Sequence, residues 1–276
     1  MYIAEILKAA FLGVVEGVTE WLPISSTGHM ILVNQFVKFN MSDAFMEMFL
    51  VVIQLGAILS VVVLYWNELI PFSLKNGFGI KKDTLSMWLK IIVSCLPAAV
   101  VGILWDDELN ALFYNYQTVS IMLILFGILF IIIENYNRGK RPDIVSISEI
   151  SYRTALLIGV FQLIAAVFPG TSRSGATIVG ALLIGVSRKT AAEYTFFLAV
   201  PVMLGASLLK ICKFGFAFTG LETAVLLTGM AVAFLVSVLA IRFLMGYIKK
   251  HSFKAFGWYR IALGALVLLL FAARIF

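Results

Sequence analysis

Residues 13–29 read Gly13-Val-Val-Glu-Gly-Val-Thr-Glu-Trp-Leu-Pro-Ile-Ser-Ser-Thr-Gly-His29, and residues 159–175 read Gly159-Val-Phe-Gln-Leu-Ile-Ala-Ala-Val-Phe-Pro-Gly-Thr-Ser-Arg-Ser-Gly175. Each run starts apolar and is then interrupted by proline, small hydroxyl residues and glycine. Proline breaks a helix because it lacks a backbone donor. Irregular backbone at membrane depth is tolerated only where it is buried in protein or lines a wet cavity. Segments 2–39 and 152–185 are therefore predicted to be helical hairpins that enter a membrane and turn back.

The rest of the chain is apolar enough for a membrane protein. Of its 276 residues, 62% are hydrophobic and 13% are charged, whereas a soluble domain carries roughly 25% charged residues. The mean hydropathy is +1.02. Further stretches approach the ~20 residues that a helix needs to cross a bilayer: 43–66, 87–105, 117–133, 190–209, 221–244 and 253–271. We predict one all-α domain over residues 1–276, a polytopic membrane helical bundle of six transmembrane helices and two re-entrant hairpins.

The basic residues responsible for the net charge of +6 lie in short loops. This placement follows the positive-inside rule, and no basic run with interleaved aromatics predicts a nucleic-acid partner. The loops predicted to be cytoplasmic hold Lys75, Lys81 and Lys82, then Arg138, Lys140 and Arg141, then Lys249, Lys250 and Lys254. The predicted external loops hold Asp106-Asp-Glu108 and, against the bias, Lys210 and Lys213. Both termini are then expected outside.

The chain contains an internal repeat. A constant shift of 146 positions (from 13 to 159, and from 47 to 193) aligns Gly13 with Gly159, Pro23 with Pro169, Ser26 with Ser172 and Glu47 with Glu193. Each copy holds one hairpin and three crossings, so the second copy is predicted to be inverted. The copies cover residues 1–137 and 150–276, approximately. Inverted repeats place their sites where the two broken segments meet near the midplane.

The first hairpin carries acids and a histidine. Glu16 and Glu20 are four residues apart and share one helical face; an ionisable group at membrane depth indicates function by default, although interfacial snorkelling is the alternative. Ser25-Ser26-Thr27-Gly28-His29 restarts a helix, whose N-terminus attracts phosphate. The hydroxyls add donors or a nucleophile, and His29 can move a proton near neutral pH. The alternative is a simple helix cap with a hydrogen-bonded histidine.

The second hairpin carries an arginine among hydroxyl groups, in Thr171-Ser172-Arg173-Ser174. An arginine at this depth needs an anionic partner, either an internal carboxylate or a phosphate. We favour phosphate, because the planar guanidinium matches phosphate geometry and the flanking hydroxyls add donors.

The two copies differ where chemistry is expected. Under the shift of 146, the facing pairs are Glu16 and Gln162, Glu20 and Ala166, Thr27 and Arg173, and His29 and Gly175. A symmetric transport path would not need this division, whereas a single catalytic site would. Glu47 and Glu193 occur in both copies, either as supporting groups that bond the loop amides or in a purely structural role.

Four motifs carry a family resemblance: residues 16–29, residues 169–177, Gln54-Leu-Gly-Ala-Ile58 and Trp258-Tyr-Arg260. Together they resemble the bacterial undecaprenyl-diphosphatase family, also known for bacitracin resistance. The resemblance implies hydrolysis of undecaprenyl diphosphate to undecaprenyl phosphate, which recycles the lipid carrier of peptidoglycan synthesis. It also implies a divalent cation, Mg²⁺ or Ca²⁺. The expected location is the bacterial cytoplasmic membrane, with the active site open to the extracytoplasmic side.

The resemblance also implies roles for individual residues. Glu16 and Glu20 would be the acidic pair and the metal ligands, Ser26 the nucleophile, His29 the proton-transfer residue and Arg173 the phosphate clamp. The remaining phosphate-binding candidates are Ser25, Thr27, Thr171, Ser172 and Ser174. The expected partners are a polyprenyl diphosphate lipid, the membrane and a second copy in a homodimer.

Other functions are weighed against this one. A polyprenyl-phosphate flippase, alone or in addition, is favoured by the inverted repeat but not by the divergence of its hairpins. A type-2 phosphatidic-acid phosphatase needs a histidine six residues after its serine-arginine pair, and here Ser172-Arg173 leads to Val179. The polar cluster at membrane depth argues against a purely structural scaffold.

Overall fold

The computed structural model describes residues 2–73 and 79–273. The predicted loop residue Lys75 and positions 1 and 274–276 of the predicted repeats lie outside the described residues. A pair of helices joined by a broken turn begins each half: α1 (Tyr2–Thr19) and α2 (Ser26–Phe36) in the first, α8 (Tyr152–Val167) and α9 (Arg173–Leu183) in the second. Helices α2 and α9 have 11 residues each, about 16 Å, which is too short to cross a bilayer core of ~30 Å.

The remaining elements follow in chain order. The first half continues with α3 (Asp43–Val52), α4 (Gln54–Leu64), α5 (Trp66–Leu69), the short antiparallel strands β1 (Phe72–Ser73) and β2 (Gly79–Ile80), α6 (Lys82–Phe113) and α7 (Tyr116–Tyr136). A 3-10 turn (Ile147–Glu149) precedes α8. The second half ends with α10 (Arg188–Phe214), α11 (Gly220–Tyr247) and α12 (Lys254–Ala272).

Six helical segments within the described residues are long and apolar enough to cross a membrane: Asp43–Leu64, Lys82–Trp105, Tyr116–Tyr136, Arg188–Phe214, Gly220–Tyr247 and Lys254–Ala272. They match the six predicted crossings, which confirms an all-α, polytopic membrane protein. The second crossing ends at Trp105, as predicted, and the backbone departs from helical geometry there (φ −136°, ψ 18°). The connection that follows is helical to Phe113 and not irregular, which was not predicted.

The short helices of each half pack against a long helix of the other half. Helix α1 packs against α11, α8 packs against α6, and α7 packs against α12. Glycine permits the first two approaches. A Cβ added at Gly13 would lie 2.6 Å from the Gly229 carbonyl oxygen, and one at Gly159 would lie 2.5 Å from the Ser94 carbonyl oxygen. Small residues bring membrane helices this close, so each hairpin is held by the opposite half.

The outer surface is apolar, and the interior contains charged groups. Large side chains such as Ile103 and Leu269 are 72% and 67% exposed, as expected for a surface covered by lipid. Glu16, Glu20 and Arg260 are buried instead. Charges inside a membrane bundle are costly unless they pair or serve a function, so these groups locate the candidate site.

Candidate active site

The two broken turns have the same backbone geometry. Ser25 and Ser172 have φ of 74° and 68°, and they are the only non-glycine residues with positive φ in the described ranges. Each serine caps its helix: its Oγ accepts a hydrogen bond from the amide of Gly28 or Gly175, respectively. Such strained backbone concentrates at functional sites, and both turns point to one.

The turn geometry corrects the predicted pairing. The equivalent caps, Ser25 and Ser172, are 147 positions apart, so the constant shift of 146 fails inside the turns. The reason is one additional residue: two positions separate Pro23 from its serine cap, and three separate Pro169 from its own. Ser26 and Arg173, the first residues of α2 and α9, therefore occupy the same place in the two turns.

Glu20 joins the two hairpins. Its Oε2 accepts a hydrogen bond from Ser26 Oγ (2.9 Å), and its Oε1 accepts one from Arg173 Nη2 (3.1 Å). Its backbone oxygen accepts a third bond from Ser174 Oγ (3.2 Å). The structure thus brings Glu20, Ser26 and Arg173 together at the junction, although they come from segments about 150 residues apart.

Arg173 has an internal carboxylate as its anionic partner, which is the alternative considered from the sequence. Besides Glu20, its Nη1 donates to the Thr195 carbonyl oxygen (2.9 Å), and the guanidinium lies 6.0 Å from the Trp21 ring centroid. Its buried Nε has no hydrogen-bond partner among the described residues. One donor edge therefore remains available to a ligand such as phosphate.

Seven buried polar side-chain atoms have no hydrogen-bond partner in the described structure, and four of them belong to residues in or next to the two turns. These four are Glu16 Oε1, Trp21 Nε1, Thr171 Oγ1 and Arg173 Nε. Each such atom in a folded protein calls for an explanation, because leaving a buried polar group unpaired costs ~1–3 kcal/mol. This set of one carboxylate oxygen, one hydroxyl and two N–H groups is consistent with a polar ligand that binds between the hairpins.

His29 is held at both ring nitrogens. Nδ1 lies 2.7 Å from the Ser25 carbonyl oxygen, and Nε2 lies 2.7 Å from Tyr259 Oη. A carbonyl only accepts, so Nδ1 carries the proton, and Nε2 of the neutral ring accepts from the Tyr259 hydroxyl. Tyr259, which is 46% exposed, thus extends the hydrogen-bond chain from His29; no role for it was predicted from the sequence.

The predicted phosphate-binding hydroxyls fall into two groups. The Ser25, Ser172 and Ser174 hydroxyls make hydrogen bonds within the turns, since Ser172 Oγ also lies 3.1 Å from Ser174 Oγ. The second group is the buried Thr171 hydroxyl, which has no hydrogen-bond partner in the described part of the chain, and the partly buried Thr27 hydroxyl next to Ser26. The Thr171 hydroxyl can receive a ligand without breaking an existing bond.

The two repeated glutamates lie elsewhere. Glu47 pairs with Lys210 of α10, and Glu193 lies 3.6 Å from Lys189, one turn earlier in its own helix. Of the two roles considered from the sequence, the structure favours the structural one, because each carboxylate has a lysine within reach.

Arg260 is a buried group for which the sequence analysis proposed no role. It is 0% exposed, and its guanidinium donates to four carbonyl oxygens: Thr171 (2.7 Å), Gly170 (3.0 Å), Pro23 (3.3 Å) and Met122 (3.4 Å). It therefore ties both turns to α7. A lone arginine in an apolar span is itself a functional signal that could have identified it.

Arg260 also sets the direction of the second turn. It binds the Thr171 carbonyl oxygen, and the C=O and N–H of one trans peptide point in opposite directions. The Ser172 amide therefore points away from Arg260. The Ser172 N–H then lies beside the free amides at the N-terminus of α9. Helix N-termini with such free N–H groups attract anions.

The acid pair is the place to look for a metal. The described residues contain no group of three or more His, Cys, Asp and Glu side chains that could hold an ion. Glu16 and Glu20 are neighbouring acids one helical turn apart, and Glu16 Oε1 has no protein partner in the described ranges. Two carboxylates suit Mg²⁺, which takes few protein ligands and completes its shell with water and phosphate oxygens.

The fold and the junction together define a multi-pass membrane protein with acidic, hydroxyl and arginine groups between two broken helices. The model of the family described as bacitracin resistance protein BacA matches residues 9–266, and the chain belongs to this family. It is 73% identical over 267 residues to Undecaprenyl-diphosphatase 1 of Clostridium acetobutylicum, covering 97% of each chain. It is 70% and 62% identical to proteins named Undecaprenyl-diphosphatase from Desulfitobacterium hafniense and Acetivibrio thermocellus, covering 99% and 98% of each chain.

Proposed function

We propose that this protein is an undecaprenyl-diphosphate phosphatase, which hydrolyses undecaprenyl diphosphate to undecaprenyl phosphate and phosphate. In the cell it would recycle the lipid carrier of peptidoglycan synthesis and confer bacitracin resistance. The observation that carries the proposal is the bridging position of Glu20, between the Ser26 hydroxyl and the Arg173 guanidinium. The names of its close, full-length relatives specify the substrate.

Ser26 is the proposed nucleophile. Its hydroxyl already donates to the Glu20 carboxylate, so Glu20 can take the proton as Oγ attacks the terminal phosphorus. The bond from that phosphorus to the bridging oxygen breaks, and the lipid phosphate leaves. Water then attacks the phosphorus of the phosphoserine, Glu20 returns its proton to Ser26 Oγ as that P–O bond breaks, and phosphate leaves. The proton lost by the water replaces the one that was given to the lipid phosphate.

Arg173 and the hydroxyl-rich turns hold the terminal phosphate. The free Arg173 Nε, the Thr27 and Thr171 hydroxyls and the first amides of α9 offer donors for its oxygens, and phosphoryl transfer depends mainly on such positioning and charge neutralisation. His29 is the proposed proton donor: its imidazolium form carries a proton on Nε2, which faces Tyr259 Oη in the structure, and can give this proton to the departing lipid phosphate.

Glu16 and Glu20 would hold the divalent cation, Mg²⁺ or Ca²⁺. When bound, it would neutralise charge on the diphosphate oxygens. The unpartnered Glu16 Oε1 supports this assignment.

The proposed arrangement in the membrane has two re-entrant hairpins, α1–α2 and α8–α9, related as inverted repeats within one domain. The reciprocal packing of α1 on α11 and of α8 on α6 supports it. The proposed location is the bacterial cytoplasmic membrane, with the site open to the extracytoplasmic side, and a homodimer is the proposed assembly. A flippase is not favoured, because the acids and the arginine occur in one hairpin each.

Phosphate release from a C55 diphosphate by the purified protein tests the function. We expect release with Mg²⁺ or Ca²⁺, and its loss with a chelator. Absence of release with every divalent cation tried would overturn the enzyme assignment.

A Ser26→Ala variant tests the nucleophile. We expect turnover to fall roughly 10³-fold or more, and rapid quenching of the wild-type reaction to trap phosphoserine at Ser26. Near-full turnover by the variant would instead assign the attack to water.

A further inference from the structure

A large cavity lies away from the candidate active site. Its volume is about 1180 Å³, and the connections at residues 136–143, 182–188 and 248–254 contribute its walls. Along α7, its wall residue Glu134 is 12 residues from Met122, whose carbonyl oxygen binds Arg260. At 1.5 Å per residue this is about 18 Å, so the cavity is a separate place in the molecule.

Hydrogen bonds hold the walls of this cavity in place. The buried Glu134 carboxylate accepts from Arg188 Nε (2.8 Å) at the start of α10 and from the Phe253 amide (2.9 Å) before α12. Asn137 Nδ2 donates to the Leu182 carbonyl oxygen (2.9 Å) at the end of α9. Three connections that are distant in sequence are thereby fixed around one space.

The lining is strongly basic. Arg188 and Glu134 neutralise each other, and Asp143 is the one other acid in the lining. The remaining basic groups are Arg138, Lys140, Arg141, Lys250 and Lys254. The positive-inside rule explains why basic residues lie on one side of a membrane. It does not explain why residues of separate connections converge on one preformed cavity.

We propose that this basic cavity binds a phosphate-bearing anion, the headgroup of an anionic membrane lipid. Basic pockets between transmembrane helices bind such headgroups, and arginine and lysine both suit phosphate oxygens. The volume is ample for a headgroup, since ligand sites commonly measure ~300–1,000 Å³. The site is independent of the proposed diphosphatase reaction and uses none of its residues.

Matched double variants of the full-length protein test the site. Arg141→Gln with Lys250→Gln removes two exposed charges from the cavity lining. Arg153→Gln with Lys249→Gln removes two exposed charges from positions that do not line it. Each purified protein is titrated in a non-ionic detergent with short-chain phosphatidylglycerol, inorganic phosphate or short-chain phosphatidylcholine, and binding is followed by the shift in the thermal unfolding midpoint.

We expect phosphatidylglycerol to bind the wild type and the control variant alike, and the cavity variant roughly tenfold or more weakly. Binding of phosphatidylglycerol but not inorganic phosphate assigns the source to lipid. The same pattern with inorganic phosphate alone supports the site but assigns it to free phosphate. Equal weakening in both double variants, or equal binding of phosphatidylcholine, would overturn the proposal, since either result would reflect general surface charge or lipid adhesion.

Discussion

The turn between α1 and α2 and the turn between α8 and α9 share a backbone but not a chemistry. Both start a helix of 11 residues from a serine cap with positive φ, and both caps accept from the amide three residues on. The first turn follows the acids Glu16 and Glu20, whereas the second follows an apolar helix that has Gln162 as its buried polar group. A duplicated scaffold has thus become one asymmetric site.

The difference is concentrated at one pair of equivalent positions. Ser26 and Arg173 each follow their serine cap, and both reach the same carboxylate, one at each oxygen of Glu20. Glu20 itself has no acidic counterpart in the second half. The site therefore depends on a single acidic side chain that accepts a hydrogen bond from each turn. The predictions below test that dependence.

The largest expected effect comes from neutralising this bridge. Glu20→Gln keeps the size of the side chain but removes its charge and its capacity as a base. We expect kcat for phosphate release to fall about 10³-fold, within the range for losing a general base and a charged partner. Steady-state assays with the C55 diphosphate measure the change.

The same substitution at Glu193 provides the matched control. Glu193 belongs to the second half, and its carboxylate lies 3.6 Å from Lys189 rather than pairing with Arg173. Glu193→Gln is expected to keep kcat within about twofold of the wild type. Equal losses in both variants would contradict a special role for Glu20.

A smaller loss is expected when the second turn loses its cation. Arg173→Lys keeps the charge but removes the free Nε donor and the planar pair of donors, which matters at a phosphate site. We expect kcat/KM to fall about 10²-fold, and Arg173→Gln to lose more. Wild-type kcat/KM in the lysine variant would mean that charge alone suffices.

Arg260 holds both turns, so its removal should affect them together. Arg260→Met leaves the carbonyl oxygens of Pro23, Gly170 and Thr171 without their donor. We expect kcat to fall roughly 10- to 100-fold with a small change in KM, because misplacing reactive groups by about 1 Å costs this much.

The conservative variant separates positioning from folding. Arg260→Lys retains a cation that can reach some of these carbonyls and should recover part of kcat at unchanged KM. Both variants are checked for a monodisperse elution profile. A folded Arg260→Met protein with full kcat would remove Arg260 from the site.

Much of the fold was accessible from the sequence, because bilayer thickness fixes the length of an apolar crossing. All six predicted crossings correspond to helices. The equivalence of Ser25 and Ser172 could not be predicted, because an alignment without gaps cannot show the additional residue before Ser172. The helical continuation of α6 beyond Trp105 was missed because its charged residues resemble a loop.

The candidate site was accessible only in part. Two acids spaced four apart, a hydroxyl-rich break and a lone arginine identified Glu16, Glu20, Ser26, His29 and Arg173. The partners of these groups depend on tertiary contacts: Tyr259 reaches His29 across 230 positions, and Lys210 reaches Glu47 across 163. Local patterns carry no information about such distant partners, which is why the sequence left the role of Glu47 open.

The smallest expected effect concerns the backbone that the two turns share. A non-glycine residue in sparsely populated backbone space costs of order 1–3 kcal/mol, whereas replacing a serine cap by glycine costs only a few tenths. Ser25→Gly and Ser172→Gly should therefore each stabilise the protein by about 1 kcal/mol, which raises the thermal unfolding midpoint by ~2–4 °C. Ser25→Ala and Ser172→Ala lose the cap but keep the strained φ, so they should lower it. If glycine destabilises one turn and stabilises the other, their common backbone geometry does not reflect a common strain, and the equivalence of Ser26 and Arg173 loses its support.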